Sequence, residues 1–137
     1  MYQSIVHHHH LRKSATVYAN RAHAFTELGD YDKAFEDCET ALQIDKTSAI
    51  AYLNRGWIYY KTNRLQHALT DTETAIELDP SNTDAYDSRA RIFAHLERYE
   101  EALNDYRYAL ELGDGLSERQ KTEIQDQIEN LESKLDQ

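Results

Sequence analysis

The sequence is poor in residues that interrupt helices. It has one proline and four glycines in 137 residues. An all-β protein of this length needs many more turn residues, so this scarcity predicts an all-α protein with long helices. With 40% hydrophobic and 29% charged residues, the chain has the balance of a folded domain. We expect one compact domain or one short repeat array, without room for a second domain.

Three further scarcities limit the possible environments and partners. Cys38 is the only cysteine, which excludes an intramolecular disulfide and suits a reducing compartment. No stretch approaches the roughly 20 apolar residues of a membrane span, and residues 1–14 lack the apolar core of a secretory signal. The net charge of −10, without a lysine or arginine run, disfavours nucleic acid. We therefore expect a cytoplasmic protein that binds neither nucleic acid nor membrane.

Patterns typical of catalysis and cofactor binding are also missing. The glycines are scattered, so no phosphate-binding loop is predicted. The tract from His7 to His10 lacks the ligand spacing of a defined metal site, and a flexible, tag-like or surface tract is expected instead. Cys38 is expected to be a small buried hydrophobe rather than a catalytic thiol. The predictions are therefore no enzyme, no cofactor and no metal.

What the sequence does contain is a repeat of 34 residues, which divides it into segments 15–48, 49–82 and 83–116. Small residues recur at positions 8, 20 and 27 of each segment, and aromatic rings recur at positions 4 and 11. Small residues allow two helices to approach closely, and the rings fill the neighbouring gaps. The small residues are Ala22, Gly56 and Ala90 at position 8, Ala34, Ala68 and Ala102 at position 20, and Ala41, Ala75 and Ala109 at position 27.

This pattern resembles the tetratricopeptide repeat (TPR) family over residues 15–116. The resemblance implies an all-α, right-handed α-α superhelix, a TPR solenoid of three helix-turn-helix repeats. The usual leucine at position 7 is replaced by Arg21, Arg55 and Arg89, while position 23 holds Asp37, Asp71 and Asp105. We expect each arginine to pair with an aspartate of its own or the preceding hairpin, partly buried, with solvated surface charge as the alternative.

The two ends of the chain lie outside the repeats. Segment 117–137 carries Ile124, Ile128, Leu131 and Leu135 on one helical stripe, and Ser117 with Gln120 matches a capping box. This predicts a helix that begins after Ser117 and caps the third repeat, with a coiled-coil helix as the alternative. Segment 1–14 is expected to be flexible or a partial cap helix, because Ile5 and Leu11 fall where a preceding repeat would place apolar side chains.

The resemblance also implies a partner-binding groove lined by the first helix of each repeat. The middle repeat is the most apolar there, and Trp57 lies at a position where packing does not need a large ring. We expect an exposed apolar cluster around it, because tryptophan and tyrosine are favoured anchors of binding patches. The candidate groove residues are Ile50, Leu53, Trp57 and Tyr60 as the apolar anchor, Asn20 and Asn54 as backbone-binding amides, His23 and Lys61, and Asp84, Asp87 and Arg91 at the third-repeat end.

These observations predict a protein interaction scaffold that holds a peptide or helix of a partner, with acidic residues favouring a basic ligand. The alternatives are self-assembly into dimers or filaments, and a secretion-type chaperone that sequesters a client. The family's carboxylate clamp for acidic chaperone tails is not expected, because only one of its five positions matches. Those positions hold Ala19, His23, Asn54, Asp84 and Ser88, of which Asn54 is the match.

Overall fold

The computed structural model describes the backbone of residues 2–137 and the side chains from residue 9 onward. Within this range the chain forms seven α-helices and no strand, as the scarcity of glycine and proline predicted. The helices are α1 Tyr2–Glu27, α2 Tyr31–Ile44, α3 Ala49–Lys61, α4 Leu65–Leu78, α5 Thr83–His95, α6 Tyr99–Leu112 and α7 Glu118–Leu135. The chain divides into two compact units, Met1–Leu78 with α1 to α4 and Asp79–Gln137 with α5 to α7.

In the first unit, α1 pairs with α2 and α3 pairs with α4, and α2 also packs against α3. Alanines from three of these helices form one buried cluster, which consists of Ala15, Ala19, Ala41 and Ala51. A second cluster contains Ala22, Ala34, Cys38 and Ile58. Because these side chains are small, the helices approach closely, as the repeated alanines predicted. The burial of Cys38 also agrees with its predicted role as a small hydrophobe.

The turns between paired helices occur at position 15 of each repeat. Gly29 and Asn63 both adopt positive φ, at 80° and 62°, as expected for residues that tolerate the left-handed region. Glu97 takes the same conformation at φ 61° in the third repeat, although glutamate gives no such signal in the sequence. Each of these turns reverses the chain so that the second helix can pack back on the first.

The second unit is completed by α7, which packs on α6. Ser117 accepts a hydrogen bond from the backbone N–H of Gln120, and the Gln120 side chain accepts one from the backbone N–H of Ser117. This is the predicted capping box. Ile124, Ile128 and Leu131 are buried, as expected for a helix that covers a hairpin, whereas Leu135 is partly exposed.

The N-terminal segment continues a repeat helix rather than forming a separate element. The backbone is helical from Tyr2, and α1 runs without a break from this segment into the first repeat. No glycine or proline precedes Gly29, so nothing in this segment interrupts a helix. His9 and His10 are exposed on α1. The side chains of Ile5, His7 and His8 lie outside the described residues.

The repeated arginines and aspartates form ion pairs within each hairpin. In all three repeats the guanidinium donates through Nε and Nη2 to both carboxylate oxygens, over distances of 2.7 to 2.9 Å. The pairs are Arg21–Asp37, Arg55–Asp71 and Arg89–Asp105. The aspartates are buried, which confirms the predicted pairing and excludes the solvated alternative for them. Each of these ion pairs connects the first helix of a hairpin to the second helix of the same hairpin.

Candidate functional site

The candidate site centres on two stacked aromatic rings of α3. Trp57 and Tyr60 lie one helical turn apart, with ring centroids 4.9 Å apart and planes inclined by 22°. The Lys61 ammonium lies 5.1 Å from the centroid of the Trp57 ring, within the range of a cation–π interaction. Both rings are half-buried and Lys61 is exposed. The pair therefore keeps accessible aromatic surface beside a positive charge.

The two aliphatic residues predicted to surround Trp57 are less accessible than expected. Leu53 is buried, with 8% of its surface exposed. Ile50 is half-buried and packs against the cluster formed by Ala15, Ala19, Ala41 and Ala51. Burying a side chain of this size stabilises a fold by about 1.5–3 kcal/mol, which favours these inward positions. The predicted exposed cluster of four apolar residues is thus reduced to the Trp57–Tyr60 pair with part of Ile50.

The two asparagines predicted to bind a peptide backbone lie in different environments. Asn54 is buried, and its amide Nδ2 donates a hydrogen bond of 2.7 Å to the backbone oxygen of Ala19 on α1. This bond links α3 to α1, so that donor serves the fold rather than a ligand. Asn20 is exposed on α1, as is His23. Of the predicted polar groups of the first unit, Asn20, His23 and Lys61 are therefore accessible.

The remaining predicted residues lie on α5 in the second unit. Asp84 is exposed, whereas Asp87 is half-buried and accepts a hydrogen bond of 3.4 Å from Nε of Arg91. Burial raises the pKa of the Asp87 carboxyl above its usual range, although the Arg91 charge and hydrogen bond act in the opposite direction. Asp84 is therefore the more accessible carboxylate of the two, and the expected acidity of this surface depends mainly on it.

The Cys38 thiol and the possible metal ligands of the chain were predicted to have no catalytic or metal-binding role. Burial raises the pKa of the Cys38 thiol to about 12, so at neutral pH it is protonated and a poor nucleophile. Among the side chains from residue 9 onward, no three His, Cys, Asp or Glu groups are arranged to hold a metal ion. None of the described helices is long and apolar enough to cross a membrane.

The family of the chain follows from its match to family models. Models described as tetratricopeptide repeat match residues 15–48, 49–82 and 83–112, which together are well over half of the chain. The chain belongs to the tetratricopeptide repeat family. Repeats of this family are interaction modules, which agrees with a site built from aromatic and polar side chains.

Solved TPR structures share the fold at low sequence identity. The first TPR of Spaghetti (RPAP3), bound to the HSP90 peptide SRMEEVD, superposes with a TM-score of 0.80 at 24% identity, covering 91% of this chain and 95% of that chain. The second TPR of the same protein, bound to the same peptide, gives a TM-score of 0.68 at 28% identity, covering 74% of this chain and 94% of that chain. The likeness confirms the all-α TPR fold.

A curated protein matches only one repeat's length. It is the translocon at the outer membrane of chloroplasts 64 of Pisum sativum, 58% identical over 33 residues. The match covers 24% of this chain and 6% of the pea protein. This similarity therefore extends over about the length of one repeat and over a small part of the pea protein.

Proposed function

We propose that this TPR protein is an interaction scaffold that binds a peptide segment of a partner protein, anchored on the Trp57–Tyr60 pair. The observation that carries the proposal is the stacked, half-buried pair itself, with the Lys61 ammonium beside it. Stacked rings offer a large contact area with little conformational entropy to lose, and exposed tryptophan is a frequent centre of binding energy. Both rings lie on the first helix of the middle repeat, where the family resemblance places the partner groove.

The neighbouring polar groups determine which peptide fits. Asn20, His23 and Lys61 are exposed on the first unit and can orient a peptide backbone through hydrogen bonds. The net charge of −10 favours a ligand that carries lysine or arginine. We therefore expect a peptide with an aromatic or aliphatic anchor and a basic flank. That the second TPR of Spaghetti holds a peptide supports peptide binding as the class of activity.

The proposal is tested by selecting peptides from a displayed random library with the full chain as bait. Selected peptides should bind Trp57→Ala at least about 30-fold more weakly, the effect of losing one centre of binding energy of about 2 kcal/mol. Trp57 is the only tryptophan, so its fluorescence emission should also shift on binding. The matched control is Tyr108→Ala, which removes another partly exposed ring. Equal affinity for wild type and Trp57→Ala, with Tyr108→Ala unchanged, would refute the anchor.

The acidic peptide SRMEEVD provides a separate test of ligand charge. We expect it to bind at least about tenfold more weakly than the selected basic peptides, because like charges facing each other oppose association. Ala19 and His23 replace two clamp residues of the family, and Asp84 stands where a cation would be needed. Fluorescence titration at low and moderate salt measures the difference. Tight, salt-sensitive binding of SRMEEVD would show that this exclusion is wrong while leaving peptide binding intact.

A further inference from the structure

One face of α1 exposes an apolar stripe that the peptide site does not use. Val17, Arg21 and Ala24 follow one another at spacings of four and three residues, so they lie on a single side of α1, and Leu28 follows four residues later in the turn after the helix. Val17 is 60% exposed, Leu28 is 80% exposed and Ala24 is exposed as well. We call these four residues the α1 stripe. Contiguous exposed apolar patches are typical of interaction surfaces.

The same positions one repeat later show what covers such a stripe. Ala51 and Ile58 on α3 correspond to Val17 and Ala24, yet they are 0% and 3% exposed. Ala51 packs in the cluster that contains Ala41, and Ile58 packs in the cluster that contains Ala34 and Cys38. These three partners lie on α2, the second helix of the preceding hairpin, and alanines of α1 complete the two clusters. A helix with small side chains therefore covers the α3 counterpart of the α1 stripe.

The arginine at the centre of the stripe shows the same difference. On α3, Arg55 uses its third donor, Nη1, for a hydrogen bond of 2.7 Å to Oε1 of Glu39 on α2, and its side chain is 20% exposed. Arg21 makes the equivalent pair with Asp37, but its side chain is 58% exposed. Among the residues with described side chains, no carboxylate bonds to its Nη1. The α1 stripe thus offers one charged donor together with its apolar surface.

We propose that the α1 stripe is a docking surface for an amphipathic helix of a partner protein that resembles α2. Such a helix carries small apolar residues at spacings of four and three, as in Ala34, Cys38 and Ala41. It also carries a glutamate directly after the middle one, in the place of Glu39. Its small side chains cover Val17 and Ala24, and its glutamate accepts from Nη1 of Arg21. The surface continues the α2–α3 interface by one repeat towards the N-terminus.

A second copy of the chain does not fit this surface. The small residues of α2 and α4 are already buried, and α6, which is covered by α7, has Arg107 where the glutamate is needed. The outward side of α7 is polar apart from Leu135. Pairing two α1 stripes with each other would also bring two copies of Arg21 together, and like charges oppose association. The chemistry therefore favours a different protein as the occupant.

The test uses a synthetic helix as the probe and the full chain as the receptor. The probe is a 14-residue peptide with the sequence of α2, stapled between the positions of Asp32 and Glu36, which are exposed, and with alanine in place of Cys38. It is titrated to millimolar concentration into isotopically labelled chain, with amide shifts followed by NMR. We expect shifts at residues 17–28 and a loss of at least about tenfold in affinity for Val17→Asp.

Two controls make the result specific. Leu135→Asp adds the same charge at another partly exposed apolar residue, on α7, and should leave the affinity unchanged. A probe with glutamine in place of Glu39 should bind several-fold more weakly, because it lacks the charge that Arg21 would contact. Absence of shifts at residues 17–28, or shifts there that Val17→Asp does not reduce, would overturn the proposal. Concentration-dependent shifts at the α1 stripe in the chain alone would also overturn it, since a second copy would then be the occupant.

Discussion

Arg55→Leu is expected to lower the free energy of unfolding by about 3–5 kcal/mol, because it leaves a buried charge without its partner. The Arg55 guanidinium donates to both oxygens of Asp71, at 2.7 and 2.9 Å, and to Glu39 of the preceding hairpin. The Asp71 side chain is only 7% exposed, so water cannot replace the lost donors. The hydrogen bond to Asp71 is also the main reason that the pKa of Arg55 is raised.

Urea unfolding of wild type and variants measures this loss. The control is Arg119→Leu, which breaks the exposed helix pair of Arg119 with Glu123 and should cost no more than about 0.5 kcal/mol. Arg21→Leu should lie between the two, because Arg21 is more exposed and lacks a contact like that of Glu39. If Arg55→Leu lowers the free energy of unfolding by no more than Arg119→Leu does, the three ion pairs do not contribute to the stability of the hairpins.

Gly56→Ala is expected to lower the free energy of unfolding by about 1–2 kcal/mol, although alanine is the better helix former. A Cβ atom at Gly56 would lie 2.8 Å from Oγ1 of Thr72 and 3.2 Å from the backbone oxygen of Ala68. Thr72 is fully buried, and its hydroxyl donates to that same oxygen at 2.8 Å. The hydroxyl therefore cannot move aside without losing its hydrogen bond, and α3 and α4 must separate instead.

The double variant with Thr72→Ala shows whether this contact is the cause. In that background Gly56→Ala should be close to neutral, so that the two changes together cost less than the sum of the separate changes. The first repeat already combines an alanine at this position, Ala22, with the smaller Cys38 opposite. Additive losses in urea unfolding would show that the penalty at Gly56 has another origin.

Much of the fold could be predicted because the same pattern of small and apolar residues recurs in each repeat. The 34-residue period places the hairpins, the alanines identify the packed faces, and Ser117 with Gln120 marks the start of α7. The arginine and aspartate pairs were also predictable, since both residues recur at fixed positions, although the sequence could not decide between the two possible hairpins. Within a hairpin, local spacing is enough to determine which side chains meet.

The candidate site was harder to predict, because exposure depends on the helix that lies opposite. Nothing in the spacing of Leu53 distinguishes it from Trp57, yet Leu53 is buried and Trp57 is half-buried. Asn54 resembles Asn20 in its repeat position, but only Asn54 has the backbone of a preceding helix within hydrogen-bond reach. The contact of Glu39 with Arg55 arises in the same way, from two hairpins placed side by side. A family pattern therefore predicts the repeat position of a residue, but it does not predict which side chains of the neighbouring hairpin contact that residue.

The polar outer side of α7 limits what can pack on the second unit. Helices stack by covering one another's apolar stripes. The apolar stripe of α7 packs against α6, and its charged and amide groups face outward. Another helix would gain little by packing on this side, because apart from Leu135 it offers no apolar side chain to bury. Among the described helices of the second unit, α7 is therefore the one whose outer side is suited to water rather than to a further helix.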